Sequence, residues 1–136
     1  MAANQAPIFG LTPRNSFAST GTAANTNKDG TATVATIITA GVNGTKIERV
    51  FLLHLGANTG TVVRFFINNG SANSVAANNS LVHEETLASW VNSETAASTS
   101  TVWNCNLILA AGYKLNVTIG TAVASGVQVT AEGSDF

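Results

Sequence analysis

The sequence predicts an all-β fold, an antiparallel β-sandwich of jelly-roll type with seven or eight strands. Three observations lead there. Apolar residues recur at every second position through much of the last third of the chain, the spacing that places one face of a strand against a core. Runs rich in β-branched residues are separated by connections bearing Gly and Asn, at spacings of about a dozen residues. No strand–helix–strand rhythm competes with this pattern.

Taken in order, residues 16–20 are a candidate eighth strand, and the first full one is residues 31–39 (TATVATIIT), after the turn signal Lys28-Asp29-Gly30. The glycines of residues 40–45 (AGVNGT) supply a tight connection into residues 47–55 (IERVFLLHL). That apolar run is compatible with a short helix. Closely bracketing glycines at 41, 44, 56 and 60 favour a strand, and its continuous hydrophobicity predicts burial on both faces. Residues 62–68 (VVRFFIN) form a third strand ending in Asn68-Asn69-Gly70, which favours a left-handed turn. Residues 80–87 (SLVHEETL) read as a strand in preference to a helical turn, between loops at 69–79 and 88–100.

The clearest alternation follows. In residues 101–109, Trp103, Cys105, Leu107 and Leu109 share one face, and Val102, Asn104, Asn106 and Ile108 the other. After Ala110-Ala111-Gly112, Tyr113, Leu115, Val117 and Ile119 repeat the pattern, and Val127, Val129 and Ala131 close it.

Length and composition narrow the function. A chain of 136 residues fits one domain large enough to fold without disulfides or metal. Ala, Thr, Asn, Gly and Ser make up 77 of the 136 residues, a bias that favours disorder, but the low net charge and the apolar clusters oppose it. With six basic and seven acidic side chains and a pI near 6.0, the chain lacks the positive excess a nucleic-acid partner needs. The start MAANQAPIFG is unlike a secretory signal, and no apolar run is long enough to span a bilayer, so neither export nor a membrane partner is expected.

The chemistry-bearing residues are few. His54, His83, Glu84 and Glu85 are the candidates for a metal or acid–base site, but their spacing matches no close ligand pattern. Adjacent carboxylates on a strand point to opposite faces and cannot act as a glycosidase pair. Cys105, the single cysteine, reads as a small buried hydrophobe rather than an activated thiolate. No phosphate-binding glycine motif occurs, and the four Asn-X-Ser/Thr sequons are those expected by chance in so Asn- and Thr-rich a chain. The expectation is therefore no catalytic residue, no metal and no cofactor.

Residues 1–27 contain Pro7 and Pro13 among apolar Ile8, Phe9, Leu11 and Phe17, and read as an extended arm preceding a single domain at 28–136. The alternative for this segment is an intramolecular strand closing the sandwich edge. Ile8, Phe9, Leu11 and Phe17, with Trp90 in its polar loop, are the candidate interface residues.

Three blocks carry a family resemblance: Ala23-Ala24-Asn25-Thr26 running into Lys28-Asp29-Gly30-Thr31; residues 37–50 (IITAGVNGTKIERV); and residues 109–115 (LAAGYKL) with the closing Gly133-Ser134-Asp135-Phe136. In this order they resemble a family of small tailed-bacteriophage proteins with a T-A-N-T-x-x-D-G-T turn, a T-A-G-x-N-G-x-x-I-x-R segment, an L-P-A-G-Y-x-L hairpin and a G-G-D-F end. Ala110 stands in place of the hairpin proline and Ser134 in place of the second glycine. The resemblance implies a virion structural protein, made in the host bacterial cytoplasm. Its leading form is a capsid decoration (cement) protein on the outer capsid surface, a homotrimer clamping neighbouring subunits of the major capsid protein. The alternatives are a tail fibre or baseplate accessory protein, and a glycan-binding jelly roll using Trp90, Asn92 and the adjacent loops. An enzyme is the weakest reading.

Overall fold

Two antiparallel sheets face each other across one hydrophobic core. The computed structural model describes residues 9–136. Its strands are β1 (Thr12–Ser19), β2 (Ala35–Thr39), β3 (Thr45–His54), β4 (Thr61–Asn68), β5 (Asn79–Leu87), β6 (Thr101–Trp103), β7 (Leu107–Leu109), β8 (Lys114–Ile119) and β9 (Val127–Asp135). One sheet runs β1-β9-β3 with β6 and β7 in succession along the far side of β3, and the other runs β2-β8-β4-β5. The all-β sandwich expected from the periodicity is the architecture of the chain.

The core follows from strand alternation. Ile47, Val50 and Leu52 of β3 and Val127, Val129 and Ala131 of β9 point inward from the first sheet. Val63 and Phe65 of β4 and Leu115, Val117 and Ile119 of β8 meet them from the second, and all of these are buried. Each such branched or aromatic side chain contributes about 1.5–3 kcal/mol relative to an exposed one.

The expectation that residues 47–55 are buried on both faces is corrected. The register with β9 slips between Ile47 and Arg49, so Glu48 is an extra residue, a β-bulge that leaves Glu48 and Arg49 both exposed while Ile47 and Val50 both point inward. Beyond it the strand alternates, with Phe51 half-buried and Leu53 exposed on the outer face.

Other elements differ in extent. The alternation read through residues 101–109 holds, but the hydrogen-bonded ladder is broken: Asn106 adopts φ 47° and its N–H donates to the Glu48 carbonyl at 3.2 Å, separating β6 from β7. The strand expected at 31–39 is confined to β2. Before it, the Asn25 amide nitrogen donates to the carbonyls of Thr31 (2.9 Å) and Thr33 (2.8 Å) and holds that segment as a loop. Residues 12–19, inside the segment read as an arm, are β1, hydrogen-bonded along β9 from Thr12↔Asp135 to Ser19↔Gln128. The edge-closing strand weighed for this segment is thus formed by these residues.

The two outer faces differ. On the β2-β8-β4-β5 sheet, Phe66, Asn116 and Thr118 point away from the core and are nevertheless at most 2% exposed. The chain itself ties loops beside that sheet: Arg64 donates to the Asn25 carbonyl at 3.3 Å, and the Asn73 amide donates to the Ala32 carbonyl at 2.8 Å. The opposite sheet's outer face carries several exposed apolar side chains.

Candidate interaction site

The open face is built by register. Phe17 of β1 and Phe51 of β3 both pair with Thr130 of β9, and Val102 of β6 pairs with Phe51 from the other side. Residues directly opposite across a sheet share a face, so these four form one row across four strands. Phe17 is 71% exposed and Val102 41%. Leu53 lies two residues along β3 from Phe51, and Ile108 of β7 opposes Lys46 toward the other end. Between them the Arg49 guanidinium lies 5.1 Å from the centre of the Phe51 ring while its Nε donates to Glu132 at 2.7 Å, so charge on this face is paired locally. These exposed apolar side chains lie together on one face, unlike singly scattered ones.

A second feature lies where β3 ends. A cavity of about 240 Å³ is walled by His54, Thr86, Leu87, Trp90, Thr99 and Thr101, with Ala88 and Ser89 completing it. Buried Asn58 organises the wall. Its backbone exchanges two 2.9 Å hydrogen bonds with Trp90. Its Oδ1 accepts from the Ser125 N–H at 2.8 Å, which fixes Nδ2 as the donor to the Gly126 carbonyl (2.7 Å) and to His54 Nδ1 (3.1 Å). The neutral His54 ring therefore carries its proton on Nε2.

Of the candidate interface residues, Ile8 lies outside the described residues. Phe9 (69% exposed) and Leu11 (78%) precede β1, and the Leu11 N–H donates to the Asp135 carbonyl. Phe17 joins the apolar row. Trp90 is half-buried and belongs to the cavity wall instead, whereas Asn92 does not line that cavity. Phe51, Leu53, Val102 and Ile108 are not among the candidate interface residues of the sequence, which places Val102 and Ile108 only as sharing the second face of 101–109 with Asn104 and Asn106.

The remaining chemistry-bearing residues are held in structural pairings. Glu84 and Glu85 do point apart. Glu84 accepts from Arg64 Nε at 2.8 Å and meets Lys28 at 3.4 Å, and the Arg64 hydrogen bond chiefly holds its carboxyl below the usual range. Glu85 meets His83 at 3.1 Å, and the His83 ring stacks on Trp103 with centroids 4.3 Å apart. Burial pushes the Cys105 thiol up, and its S–H donates to the Ile47 carbonyl at 3.5 Å. Among the described residues no three His, Cys, Asp or Glu side chains gather as a metal site, and no helix is long and apolar enough to cross a membrane.

Two of the three blocks that carry the family resemblance, residues 37–50 and residues 109–115 with 133–136, meet at the end of the sandwich away from the cavity, whereas Asn25 of the first block donates its N–H to the Ile119 carbonyl. Ala40 donates to Tyr113 at 2.7 Å, Phe136 donates to Gly44 at 3.2 Å, and the Thr45 hydroxyl donates to Asp135, which also accepts two 3.1 Å bonds from Arg14. The hydrogen bond from Thr45 and then Arg14 keep the Asp135 carboxyl below its ordinary range. These motif residues act on the fold, tying the β2–β3 turn, the β7–β8 turn and the end of β9 together.

The chain matches no family model, no curated protein and no solved structure.

Proposed function

We propose that this protein is a virion structural protein of a tailed bacteriophage, a capsid decoration protein that binds the outer capsid lattice and clamps neighbouring major capsid subunits, assembling as a homotrimer. The observation that carries the reading is the apolar row of exposed Phe17 and Val102 with half-buried Phe51 between them, flanked by exposed Leu53 and Ile108, on an outer sheet face that the described residues leave open. A module of this kind works by contact, and the face supplies apolar area with its charges already paired. The sequence resemblance points to the virion, and the row offers the means of attachment.

The fold reading that accompanies it is a jelly roll. If β6 and β7 are counted as one interrupted strand, eight strands lie in the orders 1-8-3-6 and 2-7-4-5, which two interleaved Greek keys produce. Of the segment read as an arm, residues 12–19 belong to the sheet, and exposed Phe9 and Leu11 ahead of them are further apolar contacts for a partner.

Copy number in purified particles tests the proposal, by quantitative mass spectrometry against the major capsid protein. A ratio approaching one to one is expected. A few to tens of copies would move the protein to the tail or the vertices, and absence from particles would overturn the virion reading altogether.

A further inference from the structure

We infer that the cavity beside Trp90 is a binding site for one neutral sugar residue of a glycan. The inference stands on the chemistry of the wall and does not depend on the virion reading. No Lys, Arg, Asp or Glu lines the cavity, so nothing there compensates a phosphate, a carboxylate or a cation. What the wall offers is hydroxyl-bearing side chains: Thr86, Ser89, Thr99 and Thr101 line it. Among the described residues, none of these four hydroxyls has a hydrogen-bond partner in the protein.

Thr86, Ser89 and Thr99 are solvent-exposed, so a ligand entering the cavity meets hydroxyls that are not committed to the fold. Several other Thr and Asn side chains are committed to the fold: Thr45 donates to the Asp135 carboxylate and accepts from the Gly41 N–H, Thr61 bonds the 121 backbone twice, and Asn25 bonds two carbonyls. A hydroxyl both donates and accepts, so a cluster of free ones complements a ligand whose own polar groups are hydroxyls. His54 adds a directed donor, because Asn58 occupies Nδ1 and leaves Nε2–H as the free edge of the ring.

Size and rigidity agree with this assignment. A cavity of about 240 Å³ takes one pyranose ring and is too small for the drug-sized ligands of larger pockets. Leu87 and Trp90 supply apolar wall for the C–H faces of such a ring. Asn58 holds both His54 and the Trp90 backbone, so little ordering is left for the ligand to impose. A single ring of about a dozen heavy atoms then binds with millimolar affinity, and several copies of the chain on one assembly would multiply that weak contact.

The test is heteronuclear NMR of the isolated full chain, titrated with the methyl glycosides of glucose, galactose, mannose and N-acetylglucosamine, with glucose 6-phosphate and glucuronate as charged comparisons. At least one neutral glycoside should shift the Trp90 indole N–H saturably, while the Trp103 indole, stacked on His83, stays in place. Thr86→Val and Thr101→Val keep the side-chain shape and should each weaken binding about fivefold or more without lowering the melting temperature. Trp90→Ala should remove it. The assignment is overturned if no neutral glycoside saturates the shift, if the charged sugars bind as well as the neutral ones, or if binding survives both Thr→Val changes.

Discussion

Asn58 and Trp90, 32 residues apart in sequence, exchange a reciprocal pair of 2.9 Å backbone hydrogen bonds that pins the start of the 88–100 loop to the β3–β4 connection. The Asn58 side chain makes three hydrogen bonds at the same place, both Nδ2 donors going to Gly126 and His54 while Oδ1 accepts from Ser125. Three separate stretches of chain therefore depend on one buried amide.

Asn58→Ala should accordingly destabilise the protein by about 2 kcal/mol, because it leaves the Ser125 N–H and the Gly126 carbonyl without their partner. Urea unfolding followed by tryptophan fluorescence measures this. A change below about 0.5 kcal/mol would show that water replaces the amide at no cost.

Gly133 lies where β9 passes the Glu48 bulge. A Cβ there would stand 1.9 Å from the Lys46 carbonyl oxygen and 2.9 Å from Ile47 Cα, both backbone atoms. Gly133→Ala must displace one strand from the other, and the expected loss is about 3 kcal/mol. A melting temperature equal to that of the parent would mean that the bulge absorbs the methyl group.

Acid should weaken the fold through Asp135. Its carboxyl is held below the ordinary value of 3.8 by the Thr45 hydroxyl first and Arg14 second. A carboxylate depressed in the folded state contributes stability that is fully present above the unfolded value and is lost as pH falls through the folded one. Stability should thus be level above about pH 5 and decline below about pH 4, and Asp135→Asn should remove part of that decline. Glu84 and Asp29, also depressed, account for the remainder. An Asp135→Asn protein with the parent's full acid sensitivity would contradict this assignment.

Phe17→Ser should leave stability within about 0.5 kcal/mol, since the ring is 71% exposed. If the open face is the attachment surface, the same change should lower retention on purified particles. Undiminished retention with Phe17→Ser and Val102→Ser combined would assign attachment to another surface.

The strands with strict alternation were legible in the sequence because two-residue periodicity is set by local geometry, as in 101–109 and 114–119. The full length of β9 was not. Gly133, Ser134 and Asp135 are poor strand formers, and they are extended there because β1 and β3 pair with them from both sides, so tertiary context overrides propensity. The outward placement of Phe51 and Leu53 was hidden for a related reason. A continuous apolar run looks the same whether its second face is covered by the chain or left for a partner. Trp90 could be singled out as a lone aromatic in a polar loop, but His54 and Asn58 join it only through pairings that no local pattern announces.

The position of β9 has a consequence for biosynthesis. It is the last of the nine strands in chain order, yet it lies between the first and the third. During translation β1 and β3 emerge early and wait, each with an unpaired edge, until residues 127–135 leave the ribosome and fill the gap between them. A product that stops short of Val127 has no half-sandwich to settle into, because Val127, Val129 and Ala131 are missing from the centre of its core. Completion of the sandwich is thereby left to the nine residues of β9.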